Sequence, residues 1–115
     1  MEIQTNIQRS ALIVTLKGEI DHHSASIMRE NVDGTFEASN CKHIIFDFSQ
    51  VSFMDSSGIG MIIGRYKNAE KRGGRVIISG MSDSMGRLYT ISGLAKIIER
   101  CTSLEEAVKS VKGGF

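Results

Sequence analysis

Apolar and polar residues alternate from Glu2 to Ile7, which predicts a half-buried strand. After a turn at Gln8-Arg9-Ser10, the segment Ala11 to Lys17 sets Leu12, Val14 and Leu16 on one face and Ala11 and Ile13 on the other. A strand apolar on both sides is one that is covered on both. From about Ser24 the period changes. Ala25, Met28, Val32 and Phe36 recur three and four residues apart, which predicts an amphipathic helix, weakened near its end by Gly34. His43 to Ser49, rich in β-branched and aromatic residues, predicts a buried strand. Asp55-Ser56-Ser57-Gly58 then supplies helix-capping residues, Ile59, Ile62, Ile63 and Tyr66 form an apolar stripe, and Gly73-Gly74 stops the helix.

Arg75 to Gly80 reads as a short strand, and Ser82 to Ile91 as a short helix with Met85, Leu88 and Ile91 inward. Ala95 to Glu99 is expected to be a strand around Ile97-Ile98. Thr102-Ser103-Leu104-Glu105 has the form of a capping box and opens a last helix that buries Leu104, Val108 and Val111. Residues 112–115 are expected to fray. After the first two strands, helices and strands alternate. The expected fold is therefore α/β, one domain over residues 1–115, with a mixed, mostly parallel sheet of about five strands and about four helices joined by right-handed crossovers. Function in such sheets gathers where strands end and helices begin. Two segments qualify: Gly18 to Ser24, and Met54 to Gly60.

The 115 residues carry Lys+Arg 14 against Asp+Glu 13, a formal net charge of +1. That balance creates no field for nucleic acid or anionic lipid, so neither is expected as a partner. Cys41 and Cys101 lack metal-ligand spacing and read as reduced structural thiols. The first residues lack the basic and apolar regions of a signal peptide, and no apolar run is long enough to span a bilayer. The expected location is the cytoplasm.

Met54 to Gly60 is the segment with chemistry. The first turn of a helix leaves backbone N–H groups unpaired at the positive end of the dipole, so a phosphate is tolerated there. A serine in that turn can be phosphorylated without breaking the helix, gaining about −1.5 to −2 charges at pH 7. Asp55 offsets part of the dipole gain. The simpler reading of the same residues is N-capping by Asp55 or Ser56. Gly58, Gly60 and Gly64 match a dinucleotide fingerprint poorly, since no acidic residue ends the next strand. Met-Asp-Ser-Ser-Gly departs from the nucleophile elbow of a serine hydrolase, although His22 and His23 offer a base. The same two histidines find no further ligands at zinc spacing.

Phe53-Met54-Asp55-Ser56-Ser57-Gly58-Ile59-Gly60, continuing to Gly64-Arg65-Tyr66-Lys67, resembles the signature of STAS-domain anti-sigma factor antagonists. Gly18-Glu19-Ile20-Asp21-His22-His23 resembles the family's other signature loop, and the likeness extends from about Glu2 to Val111, closest to the sporulation branch. The resemblance implies a partner switch. The unphosphorylated protein binds an anti-sigma factor that is also a serine kinase and so releases the sporulation sigma factor F. Phosphorylation of the serine before the glycine, Ser57, abolishes binding, and a manganese-dependent serine phosphatase restores it. The implied docking residues are Asp21, His22, Asp55, Ser56, Ser57, Gly58, Ile59 and Gly60. Gly58 and Gly60 are expected to admit the kinase backbone. The resemblance implies no catalytic residue, metal or cofactor. It leaves open a general stress sigma-factor pathway, where the chain would be an antagonist or scaffold subunit. One departure from the family pattern is Gly86, inside a predicted helix.

Overall fold

The two-sided strand is the centre of the molecule. In the computed structural model, which describes residues 1–112, it is β2 (Ala11–Ile20), and its two apolar faces meet two separate layers. Before it runs β1 (Glu2–Gln8); after it come α1 (His22–Ala38), β3 (His43–Met54), α2 (Ser56–Lys71), β4 (Val76–Ser79), α3 (Asp83–Ile91), β5 (Glu99–Cys101) and α4 (Leu104–Lys112). The sheet order is β1-β2-β3-β4-β5, with β1 antiparallel to β2 and all other neighbours parallel.

Leu12, Val14 and Leu16 join Ile44, Phe46, Val76 and Ile78 on one face, against Met28, Val32 and Phe36 of α1, Met61, Ile62 and Ala69 of α2, and Met85 of α3. Ala11, Ile13, Ile45 and Ile77 form the other face, covered by Ala107 and Val111 of α4. Each fully buried aliphatic or aromatic side chain is worth about 1.5–3 kcal/mol relative to exposure. Cys41 and Cys101 are free thiols.

The expected α/β architecture and element order are present. Several boundaries differ. Strand β3 runs on to Met54 rather than stopping at Ser49, because it keeps pairing with β2, through register shifts, as far as Ile20 opposite Met54. The strand expected at Ala95–Glu99 is instead a 3₁₀ turn over Leu94–Lys96 followed by β5. Gly93, at φ 86°, turns the chain into it, and the Ile98 N–H donates to the Leu94 carbonyl at 2.8 Å. Leu94 and Ile98 are buried while Lys96 between them is exposed, the spacing of a helical turn and not of a strand, in which residue 96 would share their face. Strand β5 reads Glu-Arg-Cys, a polar edge with no strand signal of its own.

In α3, Met85 is buried, Leu88 and Tyr89 pack against the core, and Ile91 is 82% exposed rather than inward. Two residues beyond Tyr89, it lies on roughly the opposite side of the helix. Gly86 has a local purpose. A Cβ there would come within 2.8 Å of Arg100 Nη1, so the glycine admits the Arg100 guanidinium. Helix α4 is capped by Ser103, whose Oγ accepts from the Glu106 N–H at 3.1 Å, one residue later than the expected capping box. Of the segment expected to fray, Lys112 closes α4, and 113–115 lie outside the described residues.

Candidate functional site

Strands β2 and β3 are parallel neighbours, so their carboxyl ends emerge together and start α1 and α2 side by side. The Asp55 N–H donates to the Ile20 carbonyl at 3.1 Å, which ties the two exits. Each helix is capped by the aspartate that follows its strand. Asp21 Oδ1 accepts from the Ser24 N–H at 2.9 Å, and Ser24 Oγ accepts from the Asp21 N–H at 2.9 Å. This reciprocal box starts α1 at His22, two residues before the sequence periodicity places it. The bond from the Ser24 backbone, and then that from its hydroxyl, holds the Asp21 carboxyl below the usual carboxylate range; burial opposes both.

Asp55 Oδ1 accepts from the Ser57 N–H at 2.8 Å. The capping reading and the switch reading are thus compatible: Asp55 caps through the amide of Ser57, and the hydroxyl is a separate group. Ser57 is half-buried in the first turn of α2, and Ser56 is exposed. The neighbouring glycines differ. Gly58 is buried, and a Cβ on it would overlap Met54 Cγ and come within 2.8 Å of Ile20 Cγ2. Its lack of a side chain serves the packing of α2 on the two strand ends. Gly60 is exposed, and a Cβ there would meet nothing within 4 Å. Ile59 is half-buried. Phe53, two residues before Asp55, is 49% exposed, an apolar surface that the sequence pattern did not mark as part of the site.

A groove of about 420 Å³ runs between α1 and α2, lined by His22, Ser26, Arg29, Ser57, Gly60 and Arg65 among others. It joins the two segments singled out in the sequence. Arg29 and Arg65 were missed, because a cation on a helical face reads as solvated. Arg65 is buried; its Nε lies 2.8 Å from Asp33 Oδ1. Its sequence signals are its place in the Gly64-Arg65-Tyr66-Lys67 stretch and its position after Met61 and Ile62 on the buried side of α2.

The groove also brings His22 to Ser57, the pair a hydrolase needs. The adjoining carboxylate, Asp21, is committed to the α1 cap rather than to orienting an imidazole. Among the described residues, no three His, Cys, Asp or Glu side chains gather as a metal site, and no helix is long and apolar enough to cross a membrane.

A family model described as the STAS domain matches residues 2–107. An anti-sigma F factor antagonist of Paenibacillus polymyxa is 38% identical over 98 residues, 85% of this chain and 84% of that protein. A solved structure described as the anti-sigma factor antagonist SpoIIAA in its unphosphorylated form superposes with a TM-score of 0.85 at 31% identity, covering 99% of both chains. A second, of the Bacillus cell fate determinant SpoIIAA in the phosphorylated form, gives a TM-score of 0.75 at 32% identity, over 96% of this chain and 99% of that one.

Proposed function

The chain belongs to the STAS-domain family, and from that premise we propose that it is an anti-sigma factor antagonist that works as a partner switch through Ser57. Its unphosphorylated form binds an anti-sigma factor with serine kinase activity and frees the sporulation sigma factor F. The chain is a substrate of that kinase and not itself an enzyme. The γ-phosphoryl of ATP passes to Ser57 Oγ, the hydroxyl proton is lost and ADP leaves. A serine phosphatase reverses the step by hydrolysis. The location in which these partners meet is the cytoplasm.

One observation carries the reading. Ser57 sits half-buried in the first turn of α2, beside the second capped exit at Asp21 and His22. Its amide is fixed by Asp55, so the turn does not depend on the hydroxyl. Esterifying that oxygen leaves the helix start in place while adding a hydrated dianion to the centre of the exposed surface formed by the two loops. Enclosing such a group unpaired in a protein interface costs several kcal/mol, enough to release a partner. Asp21, His22, Ser56, Ile59 and Gly60 form the rim of this surface. Gly58 contributes by letting α2 seat closely on Ile20 and Met54.

The test is mass spectrometry of the chain after incubation with ATP and the cognate anti-sigma kinase. The expected result is one phosphate on Ser57 and loss of binding in step with its incorporation. Phosphate on Ser56 alone, or binding that survives full incorporation, would overturn the reading.

A further inference from the structure

The groove between α1 and α2 holds more positive charge than docking at its rim requires. Arg65 points inward from α2, and its Nη1 is buried with no hydrogen-bond partner among the described residues. Its Nε is close to Asp33 Oδ1 but not aligned for a hydrogen bond, and that oxygen already accepts from Asn68 Nδ2 at 3.0 Å. Arg29, one turn before Asp33 on α1, is exposed and lines the same groove. Burial lowers the Arg65 pKa most, Asp33 opposes that, and the like charge of Arg29 lowers it further. Arg65 pairs with Asp33, and the like charge of Arg29 stands nearby. Among the described residues, no carboxylate lines the groove itself. Gly60 and Gly64 keep space open, since a Cβ on either meets nothing within 4 Å. At its other end the groove reaches Ser57.

A cavity with surplus cationic charge, an unpaired buried donor and an entrance at a hydroxyl suits a tethered dianion. We propose that the α1–α2 groove is a cradle for the phosphoryl group on Ser57, held by Arg29 and by the buried charge of Arg65. The proposal rests on the reading of Ser57 as the phosphorylated residue. It adds how the group is held on that surface: at the Ser57 end of the groove, beside Gly60. Arg29 then forms charge-assisted bonds with it, Arg65 acts through its buried charge, and the exposed Arg29 side chain becomes fixed.

The experiment uses the full chain with phosphoserine genetically encoded at position 57 and follows its ³¹P resonance from pH 4 to 8. A free phosphoserine has a second pKa of about 6. Nearby cations lower it, and the expected depression is at least about half a unit. Arg29→Gln, a change at an exposed residue, should return most of that depression, whereas Arg87→Gln on α3 should return none. A phosphate that titrates normally in the parent chain overturns the proposal. So does a depression that persists in Arg29→Gln, since the helix N-terminus alone would then account for it. No kinase is involved, so failure of a kinase to modify Ser57 would sink the switch reading without deciding this result.

Discussion

The backbone N–H of Asp55 donates to the carbonyl of Ile20 across 3.1 Å, and through this bond two strand exits become one surface. Each exit is an aspartate-capped helix start, with Asp21 at φ −110°, ψ −172° and Asp55 at φ −101°, ψ −172°. The parallel pairing of β2 and β3 brings together two loops more than thirty residues apart in sequence.

Ser57→Ala should fold as the parent does, because the bond from Asp55 goes to the backbone amide, which alanine retains. Its stability should change by no more than about 0.5 kcal/mol. It should bind the anti-sigma kinase permanently and take up no phosphate. Ser57→Asp should also fold, yet bind at least about tenfold more weakly, a loss of about 1.4 kcal/mol. Calorimetric binding and chemical unfolding of both variants check this. Wild-type affinity in Ser57→Asp would count against exclusion by charge.

Gly58 and Gly60 should respond oppositely. Gly58→Ala forces a methyl group between Met54 and Ile20 and should cost about 1–3 kcal/mol of stability. Gly60→Asp enters open space and should leave the unfolding midpoint nearly unchanged while weakening kinase binding. Urea titrations beside binding isotherms separate the two. A collapsed Gly60→Asp would show that this glycine serves internal packing.

Removing Asp33 should be worse than removing its ion pair altogether. Arg65 is buried, so Asp33→Ala leaves its charge without a counter-ion and should cost about 2–4 kcal/mol, reduced from the fully buried case because Asp33 is partly exposed. The double variant Asp33→Asn with Arg65→Met should recover most of this loss. A double-mutant cycle by thermal unfolding measures it; equal losses for the single and the double change would refute the pairing.

His43 should make the fold acid-sensitive. Its Nδ1 accepts from the Arg75 N–H at 3.0 Å, so Nε2 carries the proton, buried and with no partner among the described residues. Burial lowers its pKa most, followed by the charges of Lys42 and Arg75, with Glu99 opposing. The native state thus favours the neutral ring, and the unfolded chain takes up a proton first, near the ordinary value of about 6.5. Stability is full above that pH and falls as the pH drops through it. Asp21 and Glu99, whose carboxyl pKa values are lowered by their partners, add further losses only in the carboxylate range. Urea midpoints between about pH 7.5 and 5.5 should decline in the wild type and stay flat in His43→Asn. Parallel slopes would exclude His43 as the cause.

The sequence pattern was sufficient to find β2, β3, α1 and α2, though not all their ends; in α2 the buried side is centred on Met61, Ile62 and Arg65, with Ile59, Ile63 and Tyr66 of the expected stripe only partly buried. It failed at Ala95–Glu99, where two isoleucines suggested a strand. There Ile98 is buried through a turn closed onto Leu94, whereas β5 is made of polar edge residues that only their backbone pairing with β4 identifies. It also failed at Ile91, which fitted the spacing but lies beyond the packed side of a short helix.

The sequence by itself determined the α/β order, the capped helix start at Asp55 and the serine placed in its first turn, since these depend on local geometry and on residues adjacent in the chain. Only the tertiary structure decided that Asp21 and His22 stand beside Ser57, that Gly58 faces inward while Gly60 faces out, and that Arg65 is buried next to Asp33. Those relations arise from strand register and helix packing, which join residues with no spacing in common.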